Sequence, residues 1–292
     1  MKRLYNNKNI VRKAFTSFLL YGAVTLICLI WTMPSLGLFI SSLRHPDHIL
    51  TSGWWTVFSR PFDLSQFTLE NYRRVLGAHG LGRAFLNSLT ATIPSTFIPI
   101  TVAAFAAYAL AWMRFPGRDS LFTLIVGSIV VPLQMTLIPL LRMYVSLKIS
   151  GTFPGIWLAH TGFGIPLAVY LMYSFISQIP RDLIEAATVD GASHFQIFTT
   201  IVMRLSLPAI ASFAIFQFLW VWNDLLVSLV FLGTNREVAT ITVVISELVG
   251  TRGQDWHLLT AGAFVSMVVP VMVFFAFQRY FIRGILAGAV KG

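Results

Sequence analysis

Charge is scarce in this chain, and acid is scarcer than base. Of 292 residues, 11 are Asp or Glu against 21 Lys or Arg, and charged side chains make up 11% of the total. Soluble domains carry about a quarter charged residues, so a water-facing globular surface is excluded for most of the length. Cysteine occurs once, at Cys28, which rules out an intrachain disulfide and any two-cysteine metal or redox motif. The phosphate-cradling pattern GxxxxGK followed by Ser or Thr is missing, as are HExxH, GxSxG and a paired-carboxylate constellation. The chain therefore offers no site to bind and hydrolyse ATP and no visible hydrolytic chemistry, and we expect no enzyme, no bound cofactor and no metal. Short alternating strands of a transmembrane barrel are missing too, and no repeat period or low-complexity stretch stands out.

What fills the chain instead is apolar sequence: 56% hydrophobic residues and a mean hydropathy of +0.75. Several runs are long enough to cross a bilayer, which predicts an all-α, polytopic membrane protein. Six transmembrane helices are expected, at about 15–41, 87–113, 120–141, 155–179, 207–232 and 258–280. The first run, 14–43, exceeds a signal-peptide core and lacks a small-residue cleavage site, so it is expected to remain as an anchor. This divides the chain into an N-terminal segment 1–14, a six-span domain 15–283 and a tail 284–292. The net charge of +10 reports topology and anionic headgroups here, not nucleic acid. With the N terminus inside, the cytoplasmic segments hold the larger share of Lys and Arg, while the outer loops are diluted by Asp47, Asp63, Glu70, Glu237, Glu247 and Asp255. Both termini are then cytoplasmic.

One polar island, 180–208, interrupts the apolar second half. Asp182 is placed to cap a first helical turn over Leu183, Ile184, Glu185, Ala186 and Ala187. Gly191 allows a sharp change of direction, and Ser193 with Gln196 has the form of a capping box that starts a second helix. On that helix Phe195, Phe198, Val202 and Leu205 are expected to share one face. The result is a compact helical elbow between spans four and five, at the cytoplasmic membrane surface. Composition alone also fits an ordinary interfacial loop.

Polar groups inside spans are few. Asp224, beside Asn223, is the acidic one, and an intramembrane carboxylate costs about 2.5–3.5 kcal/mol on insertion scales, so it must face protein or a watery path. A gating role and a structural hydrogen bond to a neighbouring helix are both open. Gln134, between Pro132 and Pro139, is a further candidate for a pathway or gate, since prolines free carbonyls and bend spans. His160 and Gln217 read as packed polar groups. The long hydrophilic segment after span one carries Trp54, Trp55 and other aromatics suited to an interfacial belt.

The order Glu185-Ala186-Ala187, three residues, Gly191, nine residues, Ile201 resembles the cytoplasmic loop of permease subunits of ATP-binding-cassette (ABC) importers. Leu69-Glu70-Asn71-Tyr72, Ala106-Ala107-Tyr108-Ala109-Leu110, Arg114-Phe115-Pro116-Gly117, Trp222-Asn223-Asp224 and the ending Gln278-Arg279-Tyr280-Phe281 through Lys291-Gly292 extend the resemblance over nearly the whole chain. It is similar to the smaller permease of maltose, glycerol-phosphate and α-glucoside uptake systems, with Ser52-Gly53-Trp54-Trp55 leaning toward the α-glucoside type. One departure is Met203-Arg204, where the family has Leu-Pro.

The resemblance implies a sugar-import function and a set of partners: a second, homologous permease, a pair of ATPase subunits that bind ATP and Mg, and an extracytoplasmic solute-binding protein. It implies ATPase coupling through Glu185, Ala186, Ala187, Asp190, Gly191, Ser193 and Phe195. The tail residues Ala289, Val290, Lys291 and Gly292 are expected to reach between the ATPase subunits. Thr251, Arg252, Gly253, Gln254 and Asp255 are expected to meet the binding protein. A self-contained secondary transporter would require inverted symmetry and coupling-ion carboxylates in the spans; a membrane scaffold would use the elbow as a docking site without transport.

Overall fold

A computed structural model describes residues 2–248 and 255–289, with side chains described over 15–248 and 255–278. Among these the chain is helical, with one isolated β-bridge between Arg44 and Phe67. Four helices are long and apolar enough to cross a membrane: Phe15–Ser42, Leu81–Trp112, Phe153–Ile176 and Trp256–Gln278. Two bent helix pairs raise the number to as many as six if each pair is one span.

The chain divides into two compact units, Met1–Val75 with Leu248–Phe264, and Leu76–Glu247 with Val265–Gly292. In the first, the polar segment expected to hug the membrane surface is tied to the end of the first long helix. Asn71 is buried and donates to the carbonyls of Ser42 and Arg44 at 2.9 and 2.8 Å. Tyr72 meets Ser42 at 2.7 Å through their hydroxyls. Arg44, also buried, turns its guanidinium inward onto the Gly53 carbonyl at 2.9 Å and the Ser52 hydroxyl at 2.8 Å. Neutral acceptors meet the two terminal nitrogens of this buried cation and pin the segment, while its Nε has no partner among the described residues.

The second unit is built on the Leu81–Trp112 helix, which packs against Phe153–Ile176 and Leu207–Trp222. Small residues make that approach close: Ala103, Ala104 and Ala107 lie with Ala168, Val169 and Met172 in one core. Near the other end of the long helix, Asn87 donates to the carbonyls of Glu237 and Ala239, both at 3.0 Å, and Ser88 accepts from the Ile241 amide at 2.8 Å. Those bonds hold the stretch 237–241 that leads into the helix Ile241–Leu248.

Two expectations are corrected. The third span, expected to be continuous over 120–141, is broken: Arg118–Val130 and Leu133–Ser146 meet at 105°. Val131 and Pro132 between them are extended, with ψ of 117° and 126°, as steric conflict with the proline ring requires of the residue before it. The fifth span ends as a helix at Trp222 and resumes as Leu226–Phe231. The last helix runs from Trp256 into the tail as far as Ala289.

Candidate functional site

The elbow consists of the helix Arg181–Val189 and a helical run from His194 to Leu205, which meets Leu207–Trp222 at 72°. Gly191 between them has φ of +81°, a left-handed conformation open to glycine and costly for residues with a Cβ. The capping box is formed: the Ser193 amide donates to Gln196 Oε1 at 2.8 Å, and the Gln196 amide donates to Ser193 Oγ at 3.3 Å. Asp182, expected to cap the first helix, does not. Pro180 holds the capping position, and Asp182 lies one position inside the first turn, where its charge favours the helix dipole.

The expected apolar face is also redrawn. Ile197, Phe198 and Val202 are buried, whereas Phe195 is 66% exposed and Leu205 45% exposed. A face centred between Ile197 and Phe198 leaves Phe195 roughly 110° away at about 100° per residue. The wider π-helical turn over Phe198–Val202 then shifts the register of the residues after it.

The inward side of the elbow is mechanically joined to the long Leu81–Trp112 helix. Phe198 stacks on Phe105 with ring centres 4.5 Å apart, and His194 Nδ1 lies 2.9 Å from the Tyr108 hydroxyl. Ile184 and Ile197 complete the contact with the core containing Met172 and Ile176. The outward side is different in kind. Val189 is 87% exposed, and Glu185, Ala186, Asp190, Gly191, Ser193 and Phe195 are exposed with it. Ala187 is half-buried against the core. One element thus presents an apolar and acidic patch outward and is keyed to the spans inward. Val189 had no signal in the sequence beyond being an apolar residue at the end of a polar helix.

The polar pathway candidates sit at two helix breaks. Gln134 is exposed on the first turn of Leu133–Ser146. Asn223 is exposed and bonds back to the Leu219 carbonyl at 2.8 Å. Asp224 sits in the break of span five, where its carboxylate accepts from the amides of Val227 and Ser228 at 3.2 and 2.8 Å. It caps the short helix that resumes the span. His160 Nε2 stands 3.8 Å from its Oδ2. Of the proposed binding-protein loop, Asp255 is described and exposed; Thr251, Arg252, Gly253 and Gln254 lie outside the described residues. Of the tail, Ala289 closes the last helix, and Val290, Lys291 and Gly292 lie outside the described residues. Among the described residues no group of three or more His, Cys, Asp or Glu could hold a metal ion.

Fold and site together define a polytopic membrane subunit with a surface elbow keyed to its spans. The chain belongs to the family described as binding-protein-dependent transport system inner membrane component, whose model matches residues 99–287. It is 60% identical to the osmoprotective compounds uptake permease protein GgtD of Synechocystis, over 98% of this chain and 96% of that one. It is 42% identical to the α-glucoside transport system permease protein AglG of Rhizobium meliloti, over 96% and 99%. Among solved structures it superposes on a chain of a bacterial ABC transporter that imports the acidic polysaccharide alginate, with a TM-score of 0.75, 20% identity, and coverage of 90% and 96%. At that identity the likeness is one of fold. The chain is accordingly a multi-pass permease of the inner membrane in an ABC import system.

Proposed function

We propose that this permease forms, with a second homologous permease, the translocation path for a neutral sugar or glycoside. The solute arrives from an extracytoplasmic binding protein, and closure of two separate ATPase subunits, which carry ATP and Mg, drives alternating access. In this reading Arg118–Val130 with Leu133–Ser146 is one span and Leu207–Trp222 with Leu226–Phe231 another, the elbow lying outside the spans, which gives six crossings and cytoplasmic termini. The observation that carries it is the elbow: a capped, glycine-angled element with Val189 and Phe195 outward and Phe198 and His194 keyed to the long helix. Such a rigid body transmits a displacement from a docked partner to the spans. The α-glucoside and osmoprotectant transport named for the two relatives supports the solute class. The 251–255 loop is assigned to the binding protein and the 289–292 tail to the ATPase pair.

The test is assembly followed by turnover. A tagged copy should co-purify with a second permease and an ATPase, and in nanodiscs ATP hydrolysis should rise when sugar-loaded binding protein is added. A chain that recruits no ATPase yet moves solute down an ion gradient would instead be a secondary transporter.

A further inference from the structure

The long helix Leu81–Trp112 ends just before Arg114, and the chain turns at Gly117, whose φ of +79° is left-handed. Arg118 then opens the first half of the broken third span. Arg181, the first residue of the elbow, follows shortly after the end of Phe153–Ile176. These three arginines line one open cavity of about 560 Å³, together with Phe115, Asp119 and Ser120. That volume lies within the ~300–1,000 Å³ of small-ligand pockets.

Charge in this cavity is unbalanced, with three guanidiniums in its wall against one carboxylate. Arg118 Nε donates to Asp119 Oδ1 at 3.1 Å, but the Asp119 side chain is 90% exposed, and so open a pair is worth little. Arg114 and Arg181 have no ion pair and no side-chain hydrogen bond among the described residues. Unpaired guanidiniums converging on one space match the oxygens of a phosphate, which their planar donors meet in pairs.

The surroundings suit a lipid better than a soluble anion. All three arginines lie close to the ends of spanning helices, where long basic side chains reach the headgroup layer. On the helix that Arg118 opens, Leu121 and Leu124 are exposed, as is Phe115 in the cavity wall. Acyl chains cover such apolar surface, and a free anion does not. We infer that this cavity binds the phosphate of an anionic phospholipid from the adjoining leaflet, bridging the 114–118 turn to the first residue of the elbow. Basic pockets at the ends of spans hold such headgroups by charge. The importer reading makes that leaflet the cytoplasmic one; the inference goes beyond that reading and does not depend on transport.

Photo-crosslinking tests it. In a Cys28→Ser background, Leu121→Cys carries benzophenone maleimide beside the cavity without taking a place in its wall. The chain, purified with the partners it recruits, is placed in nanodiscs of equal phosphatidylglycerol and phosphatidylcholine, and the adducts are identified by mass spectrometry. One arginine at an anionic surface is worth about fivefold in affinity, so phosphatidylglycerol adducts should exceed phosphatidylcholine adducts at least fivefold. Arg114→Gln with Arg181→Gln should bring the ratio near one, Asp119→Asn should raise it, and excess inorganic phosphate should leave it unchanged. A starting ratio near one, or a ratio that the charge substitutions do not move, would overturn the site. So would collapse of the ratio under inorganic phosphate, which marks a free-phosphate site, or adducts to an ATPase subunit in place of lipid. A native chain that recruits no ATPase would overturn the importer reading and leave the lipid site standing.

Discussion

Gln217, Gly164 and Asp224 show how differently three residues yield to reading. A lone glutamine in an apolar run looks like a packed polar group, and Gln217 is one. It is fully buried; its Nε2 donates to the Ser95 carbonyl at 3.1 Å, and its Oε1 has no partner among the described residues, an outcome set by which backbone carbonyls the folded helices bring to the amide. Gly164 is likewise meaningless until the amide opposite is known: a Cβ there would stand 2.8 Å from Gln217 Nε2 and 2.9 Å from Oε1. Gly164→Ala should lower the stability of the purified permease by about 1–3 kcal/mol, as overpacking does. In a thermal melt the penalty should shrink in the Gln217→Ala background, because the pair is in direct contact. Equal penalties in both backgrounds would place the conflict elsewhere. Asp224 was legible as an expensive intramembrane acid, but its task was not, since the break at 223–225 that exposes two amides is a tertiary outcome. Asp224→Ala should cost about 0.5–2 kcal/mol, the worth of a helix cap, and Asp224→Asn should recover most of it. An Asn variant as unstable as the Ala variant would mean that the charge itself matters.

Elements were legible where local chemistry decides them. The left-handed Gly191 and the Ser193–Gln196 box are short-range motifs, and both are formed as their residues require. The inner face of the second elbow helix was misread because a strict helical period cannot foresee a π-helical turn at Phe198–Val202. The continuous third span was misread because apolar composition outweighed the demand of Val131-Pro132, although proline's restriction of the preceding residue was visible. Gly191→Ala should strain the elbow by about 1–2 kcal/mol, the cost of placing a Cβ in the left-handed region. Hydrogen exchange over 181–205 should accelerate while exchange in the Phe153–Ile176 helix is unchanged. Uniform acceleration in both would show that the elbow is not a separately strained element.

At the scale of the molecule, hydropathy gave the membrane class, and the motif-bearing stretches gave the family. Span number is harder, because four helices cross on length and composition alone and the two bent pairs decide between four and six. The six-span reading puts Arg114 and Lys148 on opposite sides of the membrane. In a Cys28→Ser background, an impermeant maleimide added to intact spheroplasts should label Lys148→Cys and spare Arg114→Cys until the membrane is opened. Sparing of both in intact spheroplasts, with labelling once the membrane is opened, would make the broken pair a re-entrant loop.

The central claim is that the elbow carries ATPase motion into the spans, and ATP hydrolysis by the reconstituted complex tests it most directly. The complexes to compare are native, Glu185→Lys and Gly191→Pro, with and without sugar-loaded binding protein. Gly191→Pro cannot adopt the observed φ of +81°, because the proline ring fixes φ near −65°. Glu185→Lys reverses a charge on the exposed side. The account predicts that loaded binding protein stimulates native hydrolysis several-fold and that both substitutions abolish the stimulation with the complex still assembled. Undiminished stimulation in both would contradict it and leave the elbow a surface loop.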